Sequence, residues 1–408
     1  MSHRVPLRDL CAPIRGVTFG AGQASADRQP GYVACLTTSA VQDRVNWESR
    51  RYVPLAAVAN PIQMLKSGDV LVSTANSKAL VGKSAIVIDV PEPTTFGAFV
   101  TVFRPREGVS HDWLALLLRS PRVLRALSAL ASNTTNISNL NVGAAMDMLV
   151  DAPASEDQSA IAAKARAALS TAELCAQGAR AISADAAMVR SSVLRTAFGE
   201  RPPISVAVLA TNGQALTRLL DLARLESGHT PSRRRPEWWG GPVPWLALPD
   251  IRKLHGKLAH ETTENINDAG LANSSARLLP VGTVCVSRTA SIGFVTMLGR
   301  SMATSQDFCN WVCDPERLDP EFLMYAFMAS QETLRELGSG AVHKTIYMPT
   351  IKSFHIAAPP IEEQRRIART LRDQLAAAEA LHKRLAERQA EIERLPQRIL
   401  AAAFGEAN

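Results

Sequence analysis

Few residues of this chain have the type and spacing that acid–base chemistry requires. His343 lies close to Lys344 and Tyr347, a combination that could move protons. Neither a nucleophile nor a set of metal ligands stands near them in the sequence. A polar loop is therefore the favoured interpretation of this segment.

The six cysteines are scattered through 408 residues, which favours a reducing compartment over a disulfide framework. Cys309 and Cys313 are the one close pair, and the aromatic residues beside them favour packed thiols over a metal site. The first residues, MSHRVPLRDLCAPIRG, lack the apolar core of a signal peptide, and no apolar run approaches the roughly 20 residues of a membrane helix. We expect a cytoplasmic protein without a bound metal.

Motifs that bind nucleotides or transfer groups are missing from the sequence. There is no GxxxxGK[ST] segment, no GxGxxG after a predicted strand and no Asn-Pro-Pro-aromatic run of the kind found in amino-methyltransferases. No paired acidic cluster suggests a two-metal nuclease. The sequence thus predicts a chain without catalytic residues or a cofactor of its own.

The net charge of +7 is unevenly distributed. Lys and Arg outnumber Asp and Glu by 15 to 10 in residues 1–150 and by 16 to 14 in residues 201–360. The counts are nearly balanced in residues 151–200 (5 to 6) and 361–408 (9 to 8). A positive excess suits a polyanion-binding surface, although an excess this mild is equally typical of a basic soluble protein.

The segment from Ile361 to Asn408 has the periodicity of a long amphipathic helix. Apolar residues recur every seven positions at Leu371, Ala378, Leu385, Ile392 and Ile399, and a second row contains Ile367, Leu381, Leu395 and Ala402 but is interrupted by Gln374 and Arg388. Such a helix needs a partner, because an isolated amphipathic helix is marginally stable in water.

The partner is predicted within the same chain, because Ser155–Glu200 aligns with Ile361–Glu406 without a gap. Both copies end in AFGE, and the apolar row of the first copy carries small residues, Ala165, Ala172, Ala179 and Ala186. The globular blocks also repeat: LRDL at 7–10 matches LLDL at 219–222, and LKSGDVLVS at 65–73 matches LPVGTVCVS at 279–287. The chain is therefore predicted to be a tandem duplication.

This repeat divides the chain into a globular domain (1–153), a helix (154–200), a second globular domain (201–360) and a second helix (361–408). The predicted fold class is α+β, with two pseudo-twofold-related domains joined by two long helices packed as an antiparallel coiled coil. We expect buried strands at 69–73 and 85–89, a helix at 111–130 broken near Pro121, and an Asn-rich loop at 133–142. Ser155 and Gln158 have capping-box spacing, and Pro396 should interrupt the second helix where the first has Arg190.

These features resemble the specificity subunit of type I restriction–modification enzymes. The resemblance is carried by the two helix copies, by PPIEEQRRIA (359–368) with AAFGE at the far end of the helix, and by SGHTPSRRRPEWWGGPVPWLALPDI (227–251). It covers nearly the whole chain, although the first half opens with GVTFGAGQASADRQPGYVACLTTS (16–39) and lacks the TPSR…WW run.

The resemblance implies that each globular domain is a target-recognition domain that reads one half of a bipartite DNA sequence. It implies that the helices set the distance between the two halves of the DNA target. It also implies that two methyltransferase subunits dock on the helices, with partner-binding residues at Gln158, Phe198, Gln364 and Phe404. The partners would bind S-adenosylmethionine and methylate adenine N6, restriction subunits would join them, and this chain would perform no chemistry.

Candidate DNA-contacting residues follow from side-chain chemistry, because Arg pairs with guanine or grips phosphate, whereas Asn pairs with adenine. In the first domain they are Thr74, Asn76, Lys78, Lys83, Asn136, Asn139 and Asn141; in the second they are Arg233, Arg234, Arg235, Arg288, Thr289, His343, Lys344 and Tyr347. For each, a solvated loop residue is an equally good interpretation. We expect Trp238 and Trp239 to pack beneath their loop.

Two other functions fit parts of the sequence. A self-sufficient DNA-modifying enzyme is disfavoured by the missing motifs. A protein–protein scaffold that does not bind DNA is compatible with the mild charge excess.

Overall fold

The computed structural model describes residues 3–133, 137–199, 201–206, 216–340 and 344–406. The chain forms two compact units. Unit 1 comprises residues 1–180 and 387–408, and unit 2 comprises residues 181–386. Each unit therefore contains one globular domain and part of both long helices.

The globular part of unit 1 is a β-rich domain with three helices. Its strands are β1 (His3–Pro6), β2 (Cys11–Arg15), β3 (Tyr32–Leu36), β4 (Arg51–Pro54), β5 (Val70–Ser73), β6 (Ala75–Asn76), β7 (Ser84–Ile86), β8 (Thr94–Phe96), β9 (Val100–Pro105), β10 (Ala131–Asn133), β11 (Ser138–Leu140) and β12 (Leu149–Ala152). Its helices are α1 (His111–Arg119), α2 (Pro121–Ala129) and α3 (Val142–Asp147). Short 3-10 turns cover Leu7–Asp9, Ala21–Gln23, Thr38–Ala40, Trp47–Ser49, Leu55–Ala57 and Pro61–Gln63.

The long helix α4 (Ser155–Phe198) begins in unit 1 and ends in unit 2. The domain of unit 2 has strands β13 (Ile204–Ser205), β14 (Thr217–Arg218), β15 (Ala223–Ser227), β16 (Trp239–Leu246), β17 (Leu258–Ala259), β18 (Glu264–Ile266), β19 (Val284–Ser287), β20 (Val295–Leu298), β21 (Ala303–Thr304), β22 (Phe308–Cys313) and β23 (His355–Ile356). Its helices are α5 (Leu248–Lys253), α6 (Asp268–Ala272), α7 (Pro320–Ala329), α8 (Gln331–Glu336) and α9 (Met348–Lys352), with 3-10 turns at Leu219–Asp221 and Pro236–Trp238. The chain continues through α10 (Ile361–Glu393) and α11 (Leu395–Ala403).

The sheets of the two domains have corresponding strand orders. Unit 1 contains the sheet β2-β9-β5-β7, which matches β15-β22-β19-β20 in a sheet that β17 extends in unit 2. The three-stranded sheet β4-β3-β8 matches β18-β16-β21 in the same way. Gly68 and Gly282, which align in the repeat, both adopt a left-handed backbone, with φ of 88° and 80°. The predicted duplication is therefore present in the backbone.

The predicted breaks in the helices are confirmed. The segment from His111 onward divides into α1 and α2 at Pro121, and the last helix restarts as α11 with Pro396 in its first turn. Proline lacks the N–H that a continuing helix needs. α4 runs without a break through Arg190, the residue that aligns with Pro396.

Each unit has a core to which the start of one long helix and the end of the other contribute. In unit 1, Ala165 of α4 and Leu400 of α11 pack in one cluster with Trp113. In unit 2, Leu194 of α4 and Leu371 of α10 pack in one cluster with the domain. The helices therefore pair antiparallel, as predicted.

The predicted second apolar row of the last helix is only partly correct. Leu381 is 47% exposed, so the row does not form a continuous buried seam. Gln374 and Arg388 interrupt it, and the alanines of α4 provide little side chain to cover it.

The ends of α4 and α11 are anchored by aligned phenylalanines. The ring of Phe404 lies 6.2 Å from that of Trp113, and the ring of Phe198 lies 5.4 Å from that of Phe322. Both phenylalanines are half-buried against the core of their unit. Packing within the chain is therefore enough to explain a phenylalanine at each of these positions. The resemblance implies partner binding for both residues.

Two aligned glutamines join the starts of the long helices to the domains. Gln158 accepts a hydrogen bond from the Ser110 N–H (3.0 Å) and donates one to the Pro153 carbonyl (2.9 Å). Gln364 accepts from the Asp319 N–H (2.9 Å) and donates to two carbonyls. Ser110 and Asp319 are the N-caps of α1 and α7, so the two contacts are equivalent.

This arrangement corrects the predicted capping box and shows what surrounds the two glutamines. Ser155 is the first residue of α4, and the Gln158 side chain bonds to a neighbouring element instead of closing a capping box. Gln158 and Gln364 are 4% and 1% exposed, and their amides are engaged within the chain. Both glutamines therefore have a structural role, and a partner subunit could contact their amides only by displacing these hydrogen bonds.

Candidate nucleic-acid interface

In unit 1 the end of strand β5 and the Asn-rich loop come together. Directly after β5, β6 pairs antiparallel with β11, placing Asn76 opposite Ser138 and Ala75 opposite Asn139. β11 pairs in turn with β10, which gives the sheet β10-β11-β6. Two segments that are separate in the sequence therefore form one surface.

Several side chains of this surface are already engaged. Thr74 is 7% exposed, and its hydroxyl donates to the Phe99 carbonyl (3.2 Å), so a DNA contact by this side chain would have to displace that bond. Asn76 donates to Ser73 Oγ (3.2 Å), and Lys83 Nζ donates to Gln42 Oε1 (2.9 Å). A DNA contact by either residue would compete with these local bonds.

An open cleft of about 570 Å³ lies beside this surface. Its lining includes Asn139 and Asn141 from the loop, Arg15 from the end of β2 and the exposed ring of Phe99. Asn141 also caps α3 by accepting a hydrogen bond from the Ala144 N–H (3.0 Å). Arg15 was not among the predicted contact residues, because its only signal in the sequence is its position at the end of a strand.

Lys78 is exposed on the turn that follows β6. Asn136 lies outside the described residues, as does His343 of unit 2.

In unit 2 the corresponding strand end also meets the polar loop. Thr289 forms an antiparallel bridge with Thr345, and the Ile346 N–H donates to the Arg288 carbonyl (2.8 Å). The Arg288 guanidinium donates to the carbonyls of Gln306 (3.2 Å) and Ile346 (3.4 Å). Arg288 therefore connects two loops, and a DNA contact by its guanidinium would compete with these hydrogen bonds.

Two residues of this loop project towards solvent. Lys344 is exposed, and Tyr347 is 57% exposed. With Thr289 they give unit 2 a surface of a cation, a phenol and hydroxyls, where unit 1 presents asparagines.

The three consecutive arginines of unit 2 have different environments. Arg233 forms a two-pronged ion pair with Glu264 (2.5 and 2.8 Å), and its guanidinium carbon lies 3.8 Å from the centre of the Trp239 ring. This arginine lowers the pKa of the Glu264 carboxyl. Arg235 approaches Glu237 at 3.4 Å, whereas Arg234 is exposed and has no ion pair with a described residue. Arg234 is therefore the most available of the three for an external phosphate or base.

The tryptophans beside these arginines are packed, as predicted. Trp239 is partly buried, and its ring meets Trp245 edge to face with 5.0 Å between ring centres. Trp238 is partly buried as well.

Gln306 connects the arginine loop to the strand-end loop. Its side-chain oxygen accepts a hydrogen bond from the Thr230 hydroxyl, and its carbonyl accepts from Arg288. The two predicted contact regions of unit 2 are thus neighbours. Sequence analysis missed Gln306, because a single polar residue between two strands gives no signal.

Cys309 and Cys313 are packed thiols, as predicted, whereas Cys175 is exposed. Cys309 is 2% exposed, and burial raises its pKa to about 12. Across the described ranges, His, Cys, Asp and Glu form no group of three that could hold a metal ion. No helix in those ranges is long and apolar enough to cross a membrane.

The structure therefore defines an α+β protein built from two domain-and-helix repeats, each with a polar surface at the end of a central strand. Residues 215–394 match the family model of the type I restriction modification DNA specificity domain. The predicted resemblance to type I specificity subunits is confirmed.

Characterised relatives match parts or nearly all of the chain. The type I restriction enzyme MjaIX specificity subunit of Methanocaldococcus jannaschii is 28% identical over 156 residues, which cover 38% of this chain and 36% of the relative. The StySPI specificity subunit of Salmonella potsdam is 22% identical over 420 residues, covering 98% and 87%. The EcoKI specificity subunit of Escherichia coli K12 is 22% identical over 414 residues, with the same coverage. The chain thus spans about a third of the MjaIX subunit but most of the other two.

Solved structures share the fold. The HsdS subunit from Thermoanaerobacter tengcongensis superposes with a TM-score of 0.67 at 20% identity, covering 99% of this chain and 96% of that subunit. A chain from a structure on assembly and conformational transition of a type I R-M system gives a TM-score of 0.75 at 20% identity, covering 99% and 97%. The α+β architecture with two globular domains and long helices is therefore confirmed.

Proposed function

We propose that this chain is the DNA sequence-recognition subunit of a type I restriction–modification complex. The supporting observation is that both units join a strand end to a polar loop in the same way, yet present different side chains. Asn139 and Asn141 line the cleft in unit 1, and Lys344, Tyr347 and Thr289 lie at the corresponding place in unit 2. One scaffold with two sets of polar groups suits the recognition of two different half-sites.

The long helices would set the gap between the half-sites. α4 contains 44 residues and passes from unit 1 into unit 2, a length of about 66 Å at 1.5 Å per residue. We also propose that the exposed helix faces dock two methyltransferase subunits, that restriction subunits join them, and that the complex works in the cytoplasm. S-adenosylmethionine would be bound by the methyltransferase subunits, and this chain would perform no chemistry.

The central test is to co-express the chain with its methyltransferase subunits and map methylated adenines across the host genome. We expect one motif of two short parts separated by a fixed number of unspecified bases. Methylation at a contiguous motif would contradict the proposal. The same cells without this chain provide the control.

Half-site assignment can be tested with one variant in each unit. Asn139→Ala should relax one base position in one half-site, and Lys344→Ala should weaken or relax recognition only at the other. The unaffected half-site is the internal control in each experiment. A change in both half-sites from either variant would refute the assignment of one unit to each half.

The spacer role can be tested by removing seven residues from each long helix, which preserves the heptad pattern. The helices would shorten by about 10 Å, equivalent to about 3 base pairs at 3.4 Å per base pair. The methylated motif should then have a shorter gap and unchanged half-sites. An unchanged gap would rule out the spacer role.

The two other functions make different predictions. A self-sufficient modifying enzyme would bind S-adenosylmethionine as an isolated chain, which equilibrium dialysis measures. A scaffold without a nucleic-acid role would show no salt-dependent DNA binding even in the presence of the methyltransferase subunits.

A further inference from the structure

An open pocket of about 510 Å³ lies behind the strand-end turn of unit 2. Its ionisable lining residues are Arg252, Arg335 and Lys344, all cations. No carboxylate lines the pocket, and no described carboxylate lies within 4 Å of these three cationic groups. None of the site predictions included Arg252 or Arg335.

The three cations come from separate parts of the chain, and local contacts hold them in place. Arg252, on α5, donates from Nε to Ser291 Oγ at 2.7 Å. Arg335, on α8, places its guanidinium carbon 5.9 Å from the centre of the Phe294 ring. The Lys344 carbonyl accepts a hydrogen bond from the Ala290 N–H at 3.1 Å. The fold therefore brings these cations together independently of sequence proximity.

The turn between Arg252 and Lys344 has an unusual backbone. Ala290 has a φ of 56°, a left-handed conformation that a residue with a Cβ rarely adopts. Its neighbours fix it: the Ser291 N–H donates to the Thr289 carbonyl (2.6 Å), and the Ser291 carbonyl accepts from the Ser287 hydroxyl. Such strain persists where the surroundings determine the conformation and is frequent at ligand sites.

A second pocket of about 550 Å³ shares Arg252 and Phe294 with the first and extends the basic surface to the end of α4. It adds Lys253 and Arg190, neither of which has an ion pair with a described carboxylate. Two other cations there are neutralised: Lys257 pairs with Glu379 at 2.6 Å and Arg372 pairs with Glu321. Lys257 and, to a smaller extent, Arg190 lower the pKa of the Glu379 carboxyl, so the uncompensated charge is concentrated at Arg252, Arg335 and Lys344.

Converging cations without a counter-charge repel one another and attract an anion. Guanidinium groups suit phosphate oxygens, to which they can donate two parallel hydrogen bonds. The pocket adjoins Thr289 and Lys344, which belong to the proposed DNA surface. A DNA phosphate beside the recognised bases is therefore the anion that this position favours.

We infer that Arg252, Arg335 and Lys344 bind backbone phosphates of the DNA that flanks the half-site recognised by unit 2, and that Arg252 and Arg335 read no bases. This inference rests on the proposed recognition function. It adds a phosphate clamp to that function and assigns it to residues of α5, α8 and the polar loop.

The test uses the assembled complex with methyltransferase subunits and a duplex that carries the mapped motif. In the double variant Arg252→Gln with Arg335→Gln, affinity should fall about tenfold or more, and the slope of log K against log salt should decrease by about 1 for each phosphate that is no longer neutralised. The methylated motif should not change. Arg252→Lys keeps the charge and should retain most of the slope that the single variant Arg252→Gln removes. Arg300→Gln, an exposed arginine of unit 2 that lines neither pocket, should match the wild type.

Modified DNA distinguishes the source of the phosphate. Uncharged methylphosphonate linkages beside the half-site should weaken binding by the wild type but should not weaken binding by the double variant further. Competition by inorganic phosphate at concentrations that leave the ionic strength unchanged would instead indicate a free-anion site and overturn the inference. Loss of methyltransferase assembly, measured by size exclusion, would indicate an acidic partner segment and would overturn it as well.

The remaining outcomes separate the inference from the proposed function. If the wild-type complex methylates a bipartite motif and the double variant retains its affinity and salt slope, the phosphate clamp is wrong and the function stands. If the double variant changes a base of the motif, these residues read bases and the assignment fails. If the wild-type complex methylates no bipartite motif, the proposed function itself fails.

Discussion

Replacing Gln364 by methionine should weaken the attachment of α10 to the domain of unit 2. The side chain is 1% exposed and makes three hydrogen bonds, to the Pro359 carbonyl (2.7 Å), the Arg317 carbonyl (3.0 Å) and the Asp319 N–H (2.9 Å). Methionine has a similar volume but would leave these three backbone groups without their partner. At about 1 kcal/mol for each net hydrogen bond, we expect a loss of ~2–4 kcal/mol of unfolding free energy.

The repeat supplies an internal comparison. Gln158, at the aligned position in unit 1, makes two hydrogen bonds, so Gln158→Met should cost ~1–3 kcal/mol. Gln374→Met, on the exposed face of α10, is the matched control and should change stability by less than ~0.5 kcal/mol.

Hydrogen exchange measured by mass spectrometry on the full chain can assign each loss to one unit. Gln364→Met should accelerate exchange in peptides from α7, whose N-cap loses its partner, and leave α1 unchanged. Gln158→Met should have the opposite pattern. An equal effect on both helices, or a Gln364→Met cost no larger than that of the Gln374 control, would refute this account of the glutamines.

Three other predictions, with five variants, test separate contacts. Burial and Arg190 lower the pKa of His255 from 6.5 to about 4, so between these pH values the unfolded chain binds a proton that the folded chain does not. The free energy of unfolding should therefore be at its full value above pH 6.5 and fall by ~3 kcal/mol towards pH 4. In urea unfolding at several pH values, His255→Asn should remove this pH dependence. Phe404→Ala should destabilise unit 1 by ~2–4 kcal/mol, and Phe198→Ala should destabilise unit 2 by a similar amount. Hydrogen exchange should accelerate in α1 for Phe404→Ala and in α7 for Phe198→Ala, and the reverse would contradict the assignment of each phenylalanine to its core. Arg234→Gln should weaken DNA binding by the complex without changing the melting temperature of the chain. Arg233→Gln should lower the melting temperature, because it removes the ion pair with Glu264 and the contact with Trp239. Equal effects of the two variants on the melting temperature would contradict the different environments of these arginines.

Sequence analysis predicted the architecture because the features that define it are periodic or repeated. A constant offset between two copies identified the helices, and Pro396 located a break because proline cannot donate the next hydrogen bond. The polar loops were located because each follows a helix and precedes the next at the same place in both copies.

The roles of individual side chains could not be predicted in the same way. Arg233 pairs with Glu264, which lies 31 positions along the chain, and Arg288 donates to carbonyls 18 and 58 positions away. Nothing in the local sequence distinguishes these arginines from Arg234, which has no such partner among the described residues. Arg252 and Arg335 were missed for the same reason, because only the tertiary fold places them in one pocket.

Unit 1 is built from both ends of the chain, residues 1–180 and 387–408, which has a consequence for synthesis on the ribosome. Unit 2 is one continuous stretch, residues 181–386, and its core can close as soon as that stretch emerges. The core of unit 1 also contains Leu400 and Phe404 beside Trp113, so it is completed only after 206 further residues, from 181 to 386, are translated. At about 5–20 residues per second this delay is roughly 10–40 s. A nascent chain stalled shortly before residue 387 would therefore carry a completed second unit and a first unit whose core lacks Leu400 and Phe404.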